Sequence, residues 1–181
     1  MPLGHRRKGE RRAALDLLRG LALSLTLAGC HTTSPITAPT VRELHYSGTL
    51  SKPAPGGAIV AQISGVWKID EKGALISGAD TTHILDAKVY GFPGTPTFVG
   101  KTQCVGIDGK DAWAQFIITE TSDPQFTAVG SYGVLRLSDA GGKAQANAGP
   151  RDVIYSAGNI CIDKPQTVPL FDLTGGAVSF P

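Results

Sequence analysis

The chain has 181 residues, with 17 lysines and arginines against 15 aspartates and glutamates and a formal charge of +2. Six of those basic residues and two of the acidic ones lie in the first 29 positions, which leaves eleven against thirteen in the rest. Nucleic-acid binding needs a clustered basic face, but Lys and Arg are scattered from Arg42 to Lys164, so no nucleic-acid partner is expected. The 23 glycines and 12 prolines disfavour long helices.

The N-terminus carries Arg6, Arg7, Lys8, Arg11, Arg12 and Arg19, then the uncharged run Gly20–Ala28. A positive region, a short apolar stretch and small residues at its end are the parts of a secretory signal. The run is far short of the ~20 apolar residues that span a bilayer. A buried helix of a cytosolic domain is the alternative, and the polar, turn-rich His31–Thr40 that follows argues against it. Leu27-Ala28-Gly29-Cys30 resembles the lipobox of bacterial lipoproteins. The resemblance implies a diacylglyceryl group on the Cys30 thiol, cleavage before Cys30 and acylation of the new N-terminus. Two or three acyl chains hold a protein on a membrane stably, where one binds reversibly. Residue 31 is His and not Asp, so in a Gram-negative cell the resemblance implies the outer membrane. Arg11-Arg12 is also similar to a twin-arginine signal; arginine pairs are common in such regions, and the general secretory route is the reading taken.

The expected organisation is a signal peptide over 1–29, a lipidated Cys30 and tether over 30–41, and one domain over 42–181. The tether is rich in Ser, Thr and Pro and has no period. Beyond it, apolar residues recur mostly with period two, which predicts strands. These are Arg42–Leu50, Ala58–Asp70, Ala74–Ser77, His83–Tyr90, Phe98–Ile107 and Ala112–Glu120, then a strand around Gly133–Leu137, Val153–Ile162 and Ala177–Phe180. Leu85, Ala87 and Val89 are placed on one face of their strand, with Asp86 and Lys88 opposite. Asp108-Gly109 between two apolar runs signals a hairpin, because glycine supplies a positive φ. The expected fold class is all-β, a single antiparallel sandwich or small barrel.

Cys104 and Cys161 remain after Cys30 and lie 57 positions apart. Export favours a disulfide between them, with a structural role. Two buried free thiols, or half of a metal site, are the alternatives, although no CxxC occurs.

Several motifs recur in one order in the second half. They are Val105-Gly106-Ile107-Asp108-Gly109-Lys110-Asp111-Ala112-Trp113, Ser122-Asp123-Pro124, Val134-Leu135-Arg136-Leu137-Ser138-Asp139 and Gly175-Gly176-Ala177-Val178. Over residues 98–181 this is similar to uncharacterised exported bacterial β-domains, a group that implies no catalytic residues.

Catalytic signatures are missing. There is no GxSxG, and Gly130-Ser131-Tyr132-Gly133 has the wrong spacing for a nucleophile elbow. SxxK, HExxH and phosphate-cradling glycine patterns are absent too. His45 and His83 each sit in a predicted strand, where acid–base work would need a nearby carboxylate. Asp108 and Asp111 bracket a turn that explains both without a cation. Glu120, Asp123, Asp139 and Asp152 lie at predicted strand ends and would form a cation site only if they converged at one rim. Trp67 and Trp113 read as core anchors. In a barrel, Trp113 with Tyr90, Phe92 and Phe98 would instead line an apolar pocket. No cofactor or metal is expected. The leading functional expectation is a lipid-anchored envelope domain with a structural or protein-interaction role. The alternatives are a barrel for a small apolar ligand or lipid, and an envelope enzyme with a His–carboxylate site.

Overall fold

The computed structural model describes residues 40–181. The predicted signal peptide, Cys30 and nearly all of the tether lie outside the described residues. The rest is all-β, as expected. Its strands are β1 (Arg42–Ala54), β2 (Gly57–Ile69), β3 (Leu75–Asp86), β4 (Thr97–Asp108), β5 (Asp111–Thr121), β6 (Tyr132–Ser138), β7 (Gln145–Pro150) and β8 (Phe171–Ser179). They pair antiparallel in chain order, and β8 returns to β1, so the sheet closes into a barrel.

Two seams of the barrel are short. β3 meets β4 only over Ala79–His83 against Thr97–Lys101. β7 meets β8 only through Gln145 with Asp172 and Ala146 with Phe171. The barrel is thus built of two four-stranded halves, β8-β1-β2-β3 and β4-β5-β6-β7, which explains why alternation alone left sandwich and barrel both open.

Strand alternation divides inside from outside. Leu44, Tyr46 and Leu50 on β1, Ile63 and Trp67 on β2, Phe116 and Ile118 on β5, and Leu135 and Leu137 on β6 fill the interior. Each fully buried aliphatic side chain contributes about 1.5–3 kcal/mol by leaving water. The hairpin at Asp108–Asp111 forms as predicted, with Gly109 at φ 58° and Asp108 opposite Asp111.

Three expectations change. The stretch split into Ala74–Ser77 and His83–Tyr90 is largely one strand, β3, which ends at Asp86; a 3-10 turn follows over Lys88–Tyr90. Ile84 faces inward and Leu85 outward, in phase with the inward Asp80 and Thr82, while Ala87, predicted to share a face with Leu85, is buried in the core just beyond the end of β3. Gln145–Pro150 forms β7, which was not predicted; its small residues and Gly-Pro ending carry little β-propensity, and the ladder with β6 holds it.

The third change is Val153–Ile162. It is part of a strap, residues 151–170, carrying helical turns α1 (Arg151–Ile154) and α2 (Ile160–Asp163). The Asn159 side chain caps α2, accepting from the Cys161 N–H at 3.0 Å and the Ile162 N–H at 3.4 Å. Lys164, at φ 45°, ends it. The strap lies on the outer face of β4–β7 and is pinned along its length. Cys161 is disulfide-bonded to Cys104 of β4, with Cα atoms 6.1 Å apart. Trp113 Nε1 donates to the Pro165 carbonyl at 3.3 Å, and Asn147 Nδ2 to that of Pro169 at 2.9 Å. The Arg136 guanidinium lies over the Trp113 ring, 5.4 Å from its centroid, and donates to the Gln166 carbonyl at 2.8 Å. Beneath α2 sits Gly106, where a Cβ would land on the Cys161 carbonyl.

Candidate functional site

The aromatic residues read as one pocket do not meet. Trp113 is fully buried but points out of the barrel, into a second core with Val134, Ile160 and Cys161 beneath the strap. Phe92 and Phe98 pack against the interior core, and Phe92 stacks edge-on against Phe126 at 4.8 Å. The Tyr90 side chain lies outside what the structure describes. The pocket expectation fails for Trp113 because neighbouring residues of a strand alternate in direction: Ala112 and Ala114 take the inward positions beside it. Trp67 is the interior tryptophan, tilted 57° against Tyr46 at 5.4 Å.

The acidic residues at strand ends do not converge either. Glu120 and Asp123 lie near one end of the barrel; Asp111 and Asp139 lie near the other. Asp139 pairs with Lys110 at 3.3 Å and Asp111 faces Arg136 at 3.6 Å. Asp123 caps its own turn, accepting from the Gln125 N–H at 3.0 Å. Asp152 is exposed on the strap. Among the described residues, no three His, Cys, Asp or Glu side chains are grouped to hold a metal ion.

Both histidines reach the same outer face. His45 Nε2 lies 2.9 Å from Glu43, which also pairs with Lys68 at 3.0 Å. The Lys68 hydrogen bond first, and that of His45 second, hold the Glu43 carboxyl below its ordinary range. His83 Nδ1 is hydrogen-bonded to Thr97 Oγ1 at 2.6 Å. Among the described residues no serine hydroxyl is hydrogen-bonded to either imidazole.

Register arranges this face in rows across β8, β1, β2 and β3. The middle row is Ala177, Ser47, Ser64 and Thr81. One flanking row is Ser179, His45, Val66 and Ala79; the other is Thr174, Thr49, Gln62 and His83. The small middle row, flanked by the larger His45 and Val66 on one side and Gln62 and His83 on the other, makes a trough crossing the strands, about 15 Å long at ~4.8 Å per strand. Two adjoining cavities describe it, of ≈ 480 and ≈ 310 Å³, and both are lined by Ser47, Ser64 and Thr81. His45 lines the larger cavity and His83 the smaller.

Sequence reasoning also missed a buried carboxylate. Asp80, on β3, points into the barrel and is 3% exposed. Its Oδ1 accepts from Tyr46 Oη and from Trp67 Nε1 at 3.0 Å; its Oδ2 accepts from Thr102 Oγ1 at 2.7 Å. Burial raises its pKa, against the three hydrogen bonds, which favour the charged form. The Tyr46 hydroxyl is held well above its usual range, by burial first and by the Asp80 charge second. One residue each from β1, β2, β3 and β4 thus meets at Asp80, bridging the short β3/β4 seam. The site is enclosed, and its chemistry is to fix strand positions. The signal that could have found it is phase: Asp80 shares the parity of Thr82 and Ile84.

Comparison with protein-family models, with curated proteins and with solved structures found no match.

Proposed function

We propose that this protein is a lipid-anchored envelope protein whose barrel binds a protein partner through the trough on β8-β1-β2-β3. One observation carries the reading: side chains fill the barrel interior, and both described cavities open on the outer face. Small, uncharged side chains along the trough floor let a partner's backbone approach closely. His45, Val66, Gln62 and His83 supply its walls. The resemblance of Leu27–Cys30 to a lipobox supports the anchor, the Ser/Thr/Pro segment after it supports a tether, and the Cys104–Cys161 disulfide suits an oxidising compartment.

The test joins the two halves of the reading. A photo-crosslinking residue at Ser64 should yield a discrete adduct in cells, and the same residue at the exposed Gln103 of β4 should not. The adduct should weaken at least about tenfold when Thr81→Arg fills the trough, with folding unchanged at this half-buried outer position. Cys30→Ser should move the protein from the membrane to the soluble fraction. An unacylated wild-type chain in the soluble fraction would overturn the anchor. Adducts that ignore Thr81→Arg would overturn the trough.

A further inference from the structure

We propose that His83 is the contact that sets what the trough accepts: Thr97, across the β3/β4 seam, fixes its imidazole so that Nε2–H is offered to a main-chain carbonyl of the partner. The inference deepens the partner-binding reading and rests on it, but it does not depend on the lipid anchor.

His83 and Thr97 are the last pair of the short β3/β4 ladder, and His83 Nδ1 lies 2.6 Å from Thr97 Oγ1. Thr97 is itself fixed. Its N–H donates to Ser122 Oγ at 2.9 Å, and its carbonyl accepts from the Ser122 N–H at 2.9 Å. The neighbouring Pro96 carbonyl accepts from the Ile84 N–H at 2.8 Å. A neutral imidazole carries one donor and one acceptor nitrogen, whereas a hydroxyl can do both. Among the described residues the Thr97 hydroxyl has no other hydrogen-bond partner, so donating to Nδ1 is the arrangement that uses its proton. The imidazole then carries its own proton on Nε2. Thr97 lines neither cavity, but His83 lines the smaller one with Gln62, Ser64 and Thr81. The ring is held at one edge and meets the trough at the other.

His45, on the opposite wall, is committed the other way. Its Nε2–H donates to the Glu43 carboxylate at 2.9 Å, which leaves Nδ1 as an acceptor. Glu43 is in turn paired with Lys68 at 3.0 Å. The floor between the histidines, Ala177, Ser47, Ser64 and Thr81, carries no charge. A donor on one wall, an acceptor on the other and a neutral floor match main-chain amides, which carry both groups and no charge. A charged side chain in the same place loses water without meeting an opposite charge.

The experiment has two readouts, one on the full chain in detergent and one in cells. Nitrogen NMR should show the His83 proton on Nε2 and Nδ1 hydrogen-bonded; Thr97→Val should lose the second signature and Thr97→Ser should keep it. The Ser64 photo-crosslink adduct should weaken about five- to tenfold in Thr97→Val, the worth of one hydrogen bond. It should return in Thr97→Ser, and weaken in His83→Ala with no further loss in the double variant. A structural effect of Thr97 alone would add to the loss of His83, whereas positioning through His83 does not. Unchanged circular dichroism checks that the variants fold, and the NMR readout needs no partner. A wild-type proton on Nδ1, or losses that add, would overturn the inference. Adducts that respond to Thr81→Arg but to neither His83→Ala nor Thr97→Val would overturn it and leave the trough standing. Adducts that ignore all three would overturn both.

Discussion

Asp80 is the side chain on which four strands converge, and two substitutions separate its roles. Asp80→Ala removes the acceptor of three buried donors, Tyr46 Oη, Trp67 Nε1 and Thr102 Oγ1. Leaving a buried donor unsatisfied costs about 1–3 kcal/mol. The two hydroxyls can turn toward new acceptors and the indole N–H cannot, so the expected loss is about 3–5 kcal/mol, a large part of a typical domain's 5–15 kcal/mol. Asp80→Asn keeps an oxygen for Tyr46 and Trp67 and turns its amide on Thr102 Oγ1, which can accept. Its expected cost at neutral pH is within about 1 kcal/mol. The pH dependence then has a definite sign. The Asp80 pKa is raised in the folded chain, against about 3.9 unfolded. Between those values the folded chain binds more protons, so this group's contribution to stability falls as pH rises through the folded pKa. Asn has no such slope, and the stability difference should shift in favour of Asn as pH rises. Urea unfolding at pH 4–8, followed by Trp67 and Trp113 fluorescence, reads all of this. An Asp80→Ala loss below about 1 kcal/mol, or parallel pH curves for wild type and Asp80→Asn, would refute the reasoning.

The strap offers two more predictions. The disulfide closes 57 residues, so in the chain-entropy account reduction should cost about 4 kcal/mol, measured as a lower urea midpoint with reductant present; an unmoved midpoint would mean the strap is held without it. At Gly106→Ala the new Cβ meets the Cys161 carbonyl, which forces α2 off β4 at an expected cost of about 1–3 kcal/mol. Hydrogen exchange should then quicken across residues 151–170 while β1 and β2 stay protected, and uniform exchange in all segments would count against a locally packed strap.

By itself the sequence determined the strands that alternate cleanly, β1, β2, β4, β5 and β6, and the turn at Gly109, because period two and glycine's positive φ are properties of a short stretch of chain. It brought Cys104 and Cys161 together as a candidate pair by number alone. Tertiary structure decided what depends on facing neighbours. Trp67 and Trp113 carry the same local signal, yet one fills the barrel and the other lies beneath the strap. Gly78–Thr82 reads as a break because Asp80 is a poor strand residue until Tyr46, Trp67 and Thr102 supply its hydrogen bonds from three other strands. Val153–Ile162 has strand-like composition and becomes a strap because Asn159 caps a helical turn and Cys104 holds it in place. The trough has no motif at all: Ala177, Ser47, Ser64 and Thr81 become neighbours through the registers of three separate ladders. Alternation is written along one strand, whereas register and closure are set by how strands far apart in the chain bury their faces together.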